Sequence, residues 1–354
     1  MKFRVSISTL VATACVAGSV MAADTVTSVN VVGYFNLPIA GARRQIMALP
    51  MTKIPDTRGV ISANSATTIT DGSANWGSYA WGANSNYYFV EITQSNSPFV
   101  GRHFYITNNT ATALTIKDGL SSDIAAGDLI NCGYKITSAY RIRDVFGAPG
   151  SPVLSGGGDS GDTNADLVTF WNPAAGGNAG GWDVPIYYNN SISTSLGNHW
   201  VKGVTVVDKS PIDRDEGFLV TRRGAATNIT VAGEVSGNKQ NVLAGVGQRI
   251  FAGGMTVVDV TFATSGLTNS IGFSGGASEV DTNATLITMW LPDAGGGAGG
   301  WDVPVYFNNS VSTSLGGKFV KGSTVVNTNV IKAGTGYLIK NPAGIQWLRV
   351  SPLQ

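Results

Sequence analysis

The chain has 354 residues, of which 43% are hydrophobic, 9% aromatic and 13% charged, with a formal net charge of +1. Charged residues are about half as frequent as the roughly 25% of an ordinary globular domain. The near-zero balance excludes an electrostatic footprint for nucleic acid. Glycine is abundant, at 46 residues, but no Gly-x-y period appears, which excludes collagen, and the apolar content is too high for a disordered chain.

In chain order, the first expected element is an address. Lys2 and Arg4 precede a short run of apolar and small residues, and Val20-Met21-Ala22 gives the small-residue pattern of a signal peptidase site. Residues 1–22 are therefore read as a signal peptide, and the mature chain is expected to be exported, to the cell surface, the periplasm or the medium. Cys15 after Ala12-Thr13-Ala14 raises a lipoprotein signal, but the Leu-like residue expected before it is missing. No later segment approaches the roughly 18 apolar residues of a membrane helix. Loss of Cys15 leaves Cys132 without an intramolecular partner, which excludes a disulfide framework and suits a small buried hydrophobe.

Strands are expected over 31–36, 87–92, 103–107, 113–117, 167–171 and 227–232. All are rich in β-branched and aromatic residues and bounded by Gly, Asn, Asp, Ser and Pro clusters. No window carries a helical period.

The strongest signal is internal repetition. Asp162-Thr163-Asn164-Ala165 recurs as Asp281-Thr282-Asn283-Ala284, and Gly180-Gly181-Trp182-Asp183-Val184-Pro185 as Gly299-Gly300-Trp301-Asp302-Val303-Pro304. Every such pair is 119 residues apart, and about half of the positions from Ser151 to Val220 are identical in the second copy. An earlier edge, Gln45-Ile46-Met47-Ala48 against Arg249-Ile250-Phe251-Ala252, aligns at an offset of 204 instead, so about 85 extra residues sit inside copy one. The expected fold is all-β: two tandem copies of a sandwich- or barrel-like unit, the first interrupted by a small β-module. The expected boundaries are 23–61 with 136–232 for the first unit, 62–135 for the insert and 233–354 for the second unit. Within the repeat, period-2 alternation places Trp182, Val184, Ile186 and Tyr188 on a buried face, with Trp301 likewise, and Asp183, Pro185 and Tyr187 outward. Pro185 marks an edge strand.

The chemistry-bearing patterns are weak. Gly158-Asp159-Ser160-Gly161 is similar to the nucleophile segment of trypsin-like proteases, but the chain has only His103 and His199, neither in that family's context, and Ser160 aligns with Glu279. Asp162, Asn164 and Asp166 alternate like the start of a Ca²⁺ loop, yet the sixth and twelfth places are Leu167 and Pro173; a turn capped by Asp162 is the better reading. The glycine run 176–181 lacks the helix and Lys of a phosphate cradle and reads as a hairpin loop. The mature chain holds four glutamates, Glu91, Glu216, Glu234 and Glu279, and none repeats between copies, so a shared function does not run on glutamate. What repeats is Asp183, Tyr187, Asn189, Asn190 and Lys202 with Asp302, Tyr306, Asn308, Asn309 and Lys321. These types hydrogen-bond sugar hydroxyls or pack rigid interfaces and form the candidate contact surface. No catalytic set, cofactor or metal is expected.

Val31-Val32-Gly33-Tyr34-Phe35-Asn36, Ala40-Gly41, Ile46-Met47-Ala48-Leu49-Pro50-Met51, Tyr87-Tyr88-Phe89-Val90-Glu91-Ile92 and Gly101-Arg102-His103-Phe104-Tyr105-Ile106 together resemble a family of secreted bacterial proteins of the Verrucomicrobia type. The resemblance implies export and an all-β fold, and it implies no activity. Two function classes stand: a non-enzymatic surface or matrix protein acting by adhesion or self-association, and a protein that binds or cleaves polysaccharide.

Overall fold

Extended structure follows the β-branched and aromatic runs throughout. The computed structural model describes residues 31–349, apart from 78, 80, 83–86, 94–96, 159–160, 173–174, 176–179, 190–194, 237–239, 245–248, 254–256, 279, 298 and 308–313. The signal segment, Ser160, Asn190, Asn308 and Asn309 lie outside the described residues. The fold is all-β, a set of open antiparallel sheets, and no barrel closes among the described residues. Strand is not universal, however. Ile142–Phe146 is a short α-helix, with the Arg141 N–H donating to Asp144 Oδ2 at 3.1 Å across its first turn.

Two four-stranded sheets have the same strand order. In copy one it runs Gly181–Asp183, Leu167–Asn172, Gly217–Thr221, Arg44–Ala48; in copy two Gly300–Asp302, Leu286–Leu291, Gly336–Lys340, Arg249–Gly253. Each is accompanied by a three-stranded sheet, Ile186–Tyr187, Trp200–Lys202, Thr205–Val206 and Val305–Tyr306, Phe319–Lys321, Thr324–Val325. Pairing registers correct the 204-residue offset. Gly217 pairs with Ala48 and Gly336 with Gly253, so the first strands superpose at 205, and Met47 corresponds to Ala252. A one-residue slip reverses every side chain's face, so 205 is the physically meaningful offset.

The two sheets meet about a pseudo-twofold axis. The Ala48 N–H donates to the Gly334 carbonyl at 2.8 Å, and the Gly253 N–H donates to that of Asp215 at 2.7 Å. With offsets of 205 and 119 these are one bond seen from each copy, as in an isologous interface. The approach leaves little room for a side chain. A Cβ on Gly336 would lie 2.8 Å from the Met47 carbonyl oxygen, and one on Gly217 3.1 Å from that of Ala252.

A seven-stranded sheet runs from Thr57 to Ser138, wider on both sides than 62–135. Its first and last strands pair, Thr57 opposite Ile136, so the chain comes in and leaves at adjacent points. It has its own core, including Trp76, Trp81, Phe104, Tyr134 and the buried Cys132. Separate cores fill copy one, around Trp200 and Phe218, and copy two, around Phe262 and Trp347.

Buried charges join this module to copy one. Arg214 Nη1 lies 2.8 Å from Glu91 Oε2; Lys135 Nζ lies 3.2 Å from both Glu91 and Glu234; and Arg58 reaches Glu234 at 2.5 Å. The side chains of Glu91, Lys135 and Arg214 are at most 2% exposed. Burial pushes the Glu91 carboxyl up, but the charges of Lys135 and Arg214 outweigh it and hold the group below its ordinary value. Asp213 accepts a hydrogen bond from Tyr105 Oη at 2.8 Å and lies 3.4 Å from His103. The turn carrying these groups, Asp213-Arg214-Asp215-Glu216, is Lys332-Ala333-Gly334-Thr335 in copy two, which has no insert.

Two expected outcomes follow. Replacing 57–138 by a short Gly-Ser linker takes both cations from Glu234 and leaves Arg214 with Asp215 alone, and breaking such a buried network costs about 3–5 kcal/mol. The excised chain should therefore lose its cooperative urea transition, and regain it when D213K, R214A, D215G, E216T and E234Q are added. Within copy one, Asp166 is buried against Arg222, whereas copy two has Thr285 and Asn341, joined by an Asn341 Nδ2 to Thr285 Oγ1 hydrogen bond at 2.8 Å. Asp166→Thr alone should cost about 3 kcal/mol in urea unfolding, because it leaves the guanidinium without its carboxylate. Adding Arg222→Asn should recover all but about 1 kcal/mol.

Candidate functional site

The repeated segment at Trp182 is two short strands in two different sheets. Gly181–Asp183 closes the edge of the four-stranded sheet, and Ile186–Tyr187 begins the three-stranded one. Val184 and Pro185 lie between them, where proline's missing N–H costs no ladder bond. The break resets the alternation, so the expected faces fail at Trp182, Pro185 and Tyr187, whereas Ile186 is buried as expected. Trp182 and Trp301 are 46% and 48% exposed, not buried. Tyr187 is 3% exposed; it packs against Trp200 and accepts the Gly150 N–H at 2.6 Å. Tyr306 is partly buried between Phe273 and Phe319. Both tyrosines leave the candidate contact surface.

Each exposed tryptophan stands opposite another in the sheet: Trp182 faces Trp171 with ring centroids 4.8 Å apart, and Trp301 faces Trp290 at 4.9 Å. Both pairs are edge-on, the arrangement favoured by the aromatic quadrupole. Gly180 and Gly299 hold φ of 85° and 83° beneath the inner rings, where a Cβ would lie 2.0 Å from Trp171 Cζ2 and 2.2 Å from Trp290 Cζ2.

The repeated carboxylates and lysines meet. Asp183 Oδ1 lies 2.7 Å from Lys202 Nζ, and Asp302 Oδ1 lies 2.7 Å from Lys321 Nζ. Each pair ties the edge of a four-stranded sheet to its three-stranded partner. The copies differ in cover: the Asp183 side chain is 31% exposed and that of Asp302 only 8%. Asn189 instead holds a loop, its Nδ2 donating to the Gly156 carbonyl at 3.2 Å and its N–H to that of Gly157 at 3.2 Å.

The exposed side of Asp183 opens on a cleft of 370 Å³ whose walls include Phe170, Trp171, Asn172, Lys202 and Glu216. Glu216 is the residue that sequence reasoning missed, because it does not repeat. Burial is the largest influence on its carboxyl, and the Asp213 charge adds to it. The Asp213 N–H, at 3.3 Å from Oε2, opposes them, and Asp183 adds a smaller push upward. The net result is a carboxyl pushed up to about 8, protonated at neutral pH.

No family model, curated protein or solved structure matches this chain.

The other candidate groups serve local structure. Asp162 Oδ1 accepts the Asn164 N–H at 2.9 Å and Oδ2 the Gly158 N–H at 3.1 Å; Asp281 does the same for Asn283 at 2.9 Å and Ala277 at 3.0 Å. These are turn caps, with the carboxylate oxygens committed to backbone. His199 Nδ1 lies 2.6 Å from Asp208, whose other oxygen accepts the Trp200 N–H at 2.7 Å.

Glu216 has a definite consequence for stability. The folded chain keeps a proton that the unfolded chain releases near the ordinary value of 4.5, so stability falls as pH rises between about 4.5 and about 8. Glu216→Gln mimics the protonated form. Its melting temperature should match the parent at pH 4 and exceed it at pH 9 by at least about 2–4 °C, the shift produced by 1 kcal/mol in a unit of this size. Melting curves across this range check it.

Proposed function

We propose that this chain is an exported, non-enzymatic adhesion protein of the cell exterior that attaches to polysaccharide. The observation that carries the reading is the duplicated aromatic face. Trp182 and Trp301 stand about half exposed at equivalent places, each braced by an inner tryptophan and flanked by a sheet-tying Asp–Lys pair. An exposed, rigid aromatic ring supplies apolar contact area at little entropic cost, and its flat face suits the apolar face of a pyranose ring. Two linked weak contacts gain avidity without any new contact, which suits a repeating polymer. The low charge of the chain favours a neutral polymer over an ionic one. Export rests on the residue 1–22 pattern and on the resemblance to the secreted group.

The test is co-sedimentation of the mature chain with insoluble cellulose, chitin, β-1,3-glucan and envelope polysaccharide. Each single change, Trp182→Ala or Trp301→Ala, should weaken attachment several-fold, and the double change by at least about tenfold. The stability cost should stay at about 1 kcal/mol at Trp301, which loses its contact with Trp290, and about 2 kcal/mol at Trp182, which also packs edge-on against Phe251 at 5.3 Å. Attachment unaltered in the double variant overturns the reading, as does release of soluble sugar from any of the four polymers.

A further inference from the structure

We infer that the cleft of copy one is a binding site for one neutral oligosaccharide, and that copy two has no counterpart of it. The inference rests on the polysaccharide reading and adds to it a place, a ligand charge and a stoichiometry. Its volume of 370 Å³ falls within the range of ordinary small-ligand pockets, about 300–1,000 Å³. Its aromatic wall is Phe170, which pairs with Asp183 and shares with it the sheet face opposite that of Trp171 and Trp182.

The polar groups fix the ligand class. A sugar hydroxyl both donates and accepts, and the lining supplies both roles: Asp183 accepts, Lys202 donates, and the protonated Glu216 donates. Asp183 and Lys202 cancel in charge at 2.7 Å. The charged groups facing Glu216 are Asp213 on its own turn and Asp183 across the cleft, with Lys202 in the same lining. A cleft whose own charges cancel offers no counter-charge to an ionic ligand, and an uncompensated charge is expensive to desolvate.

Copy two keeps the framework and lacks the site. Its Asp302–Lys321 pair has the same 2.7 Å separation, but Asp302 is nearly covered. Met289, Leu291 and Thr335 stand where copy one has Phe170, Asn172 and Glu216. The pair is thus architecture in both copies and a ligand contact in one.

Isothermal titration of the mature chain at pH 7 with cellohexaose, chitohexaose, laminarihexaose, mannohexaose and hexagalacturonate tests this. At least one neutral hexasaccharide should bind at one per chain, and hexagalacturonate should not. Glu216→Thr and Asn172→Leu, which install the copy-two residues, should each weaken binding at least tenfold. Glu216→Gln, which keeps a donor and the side-chain shape, should stay within threefold of the parent. Circular dichroism melts confirm that each variant is folded; where Asn172→Leu fails to fold, the contrast between the two Glu216 variants decides. Two sites per chain, preference for hexagalacturonate, unchanged binding in folded Glu216→Thr, or no binding of any neutral hexasaccharide would overturn the inference. Polymer attachment that is lost in the tryptophan double variant leaves the adhesion reading standing even then, so the two failures are distinguishable.

Discussion

Four consecutive ionisable residues, Asp213 to Glu216, sit where three parts of the molecule meet, and their electrostatics constrain all three. Arg214 enters the buried cluster with Glu91, while Asp213 receives Tyr105 and His103 from the inserted module. The backbone carbonyl of Asp215 accepts the pseudo-symmetric bond from Gly253 of copy two. Glu216 turns into the cleft. Each of these groups would be costly if buried alone. Together they offset one another, because Arg214 and Lys135 each have a carboxylate beside them. The protonation of Glu216 belongs to the same balance. With Asp213 ionised on the same turn, a second negative charge at that depth is unfavourable, and the proton stays.

Copy two shows what this turn becomes without the inserted module. Lys332 moves to the surface and pairs with Asp259 at 2.7 Å, and Gly334 supplies only its carbonyl to Ala48. The backbone bond across the pseudo-twofold axis is retained while every charge that served the insert is gone. Polar positions elsewhere also change in couples. Asp166 with Arg222 becomes Thr285 with Asn341, and in both copies the first member accepts a backbone N–H, from Ser155 at 2.6 Å or Ser274 at 3.0 Å. Where Asp208 sits beside His199, copy two has Asn327 and Lys318. The Asn327 side chain still accepts the equivalent N–H, from Phe319 at 2.6 Å. A buried acceptor is kept because an unsatisfied N–H is costly, whereas its charge is kept only while a partner remains.

These couplings explain what the sequence made legible. Strand character, the 119-residue repeat and the Asp162 turn depend on neighbours a few residues apart, and they could be read directly. Pro185 was visible as a strand breaker, but one strand with a proline at its edge and two strands in different sheets share the same local pattern. That ambiguity reversed Trp182 and Tyr187. The offset of 204 rested on matching Ile46 with Ile250 by type, whereas the ladder pairs Gly217 with Ala48 and sets 205. Glu216 does not repeat, so repetition used as a filter for function misses it. The partners of Arg214, Lys135 and Glu234 lie far away in sequence and carry no local mark.

Repetition is a filter for architecture. A duplicated unit must keep whatever closes its sheets, so the positions shared by both copies are enriched in framework: the Asp–Lys ties, the turn-capping aspartates, and the glycines under Trp171 and Trp290. A site that only one copy needs is found among the differences, and there only where several differences converge in space. Asn172 against Leu291, Glu216 against Thr335, and the open Asp183 against the covered Asp302 converge on one cleft. Scattered neutral divergence has no reason to place a protonated carboxyl, an amide and an accessible ion pair around one concavity beside Phe170. Trp182 and Trp301, by contrast, are shared by both copies and stand about half exposed, although Trp182 also packs edge-on against Phe251 of copy two. Their exposed halves are the feature of the repeat that architecture alone leaves unexplained, and for that reason they carry the adhesive reading while the cleft carries its specificity.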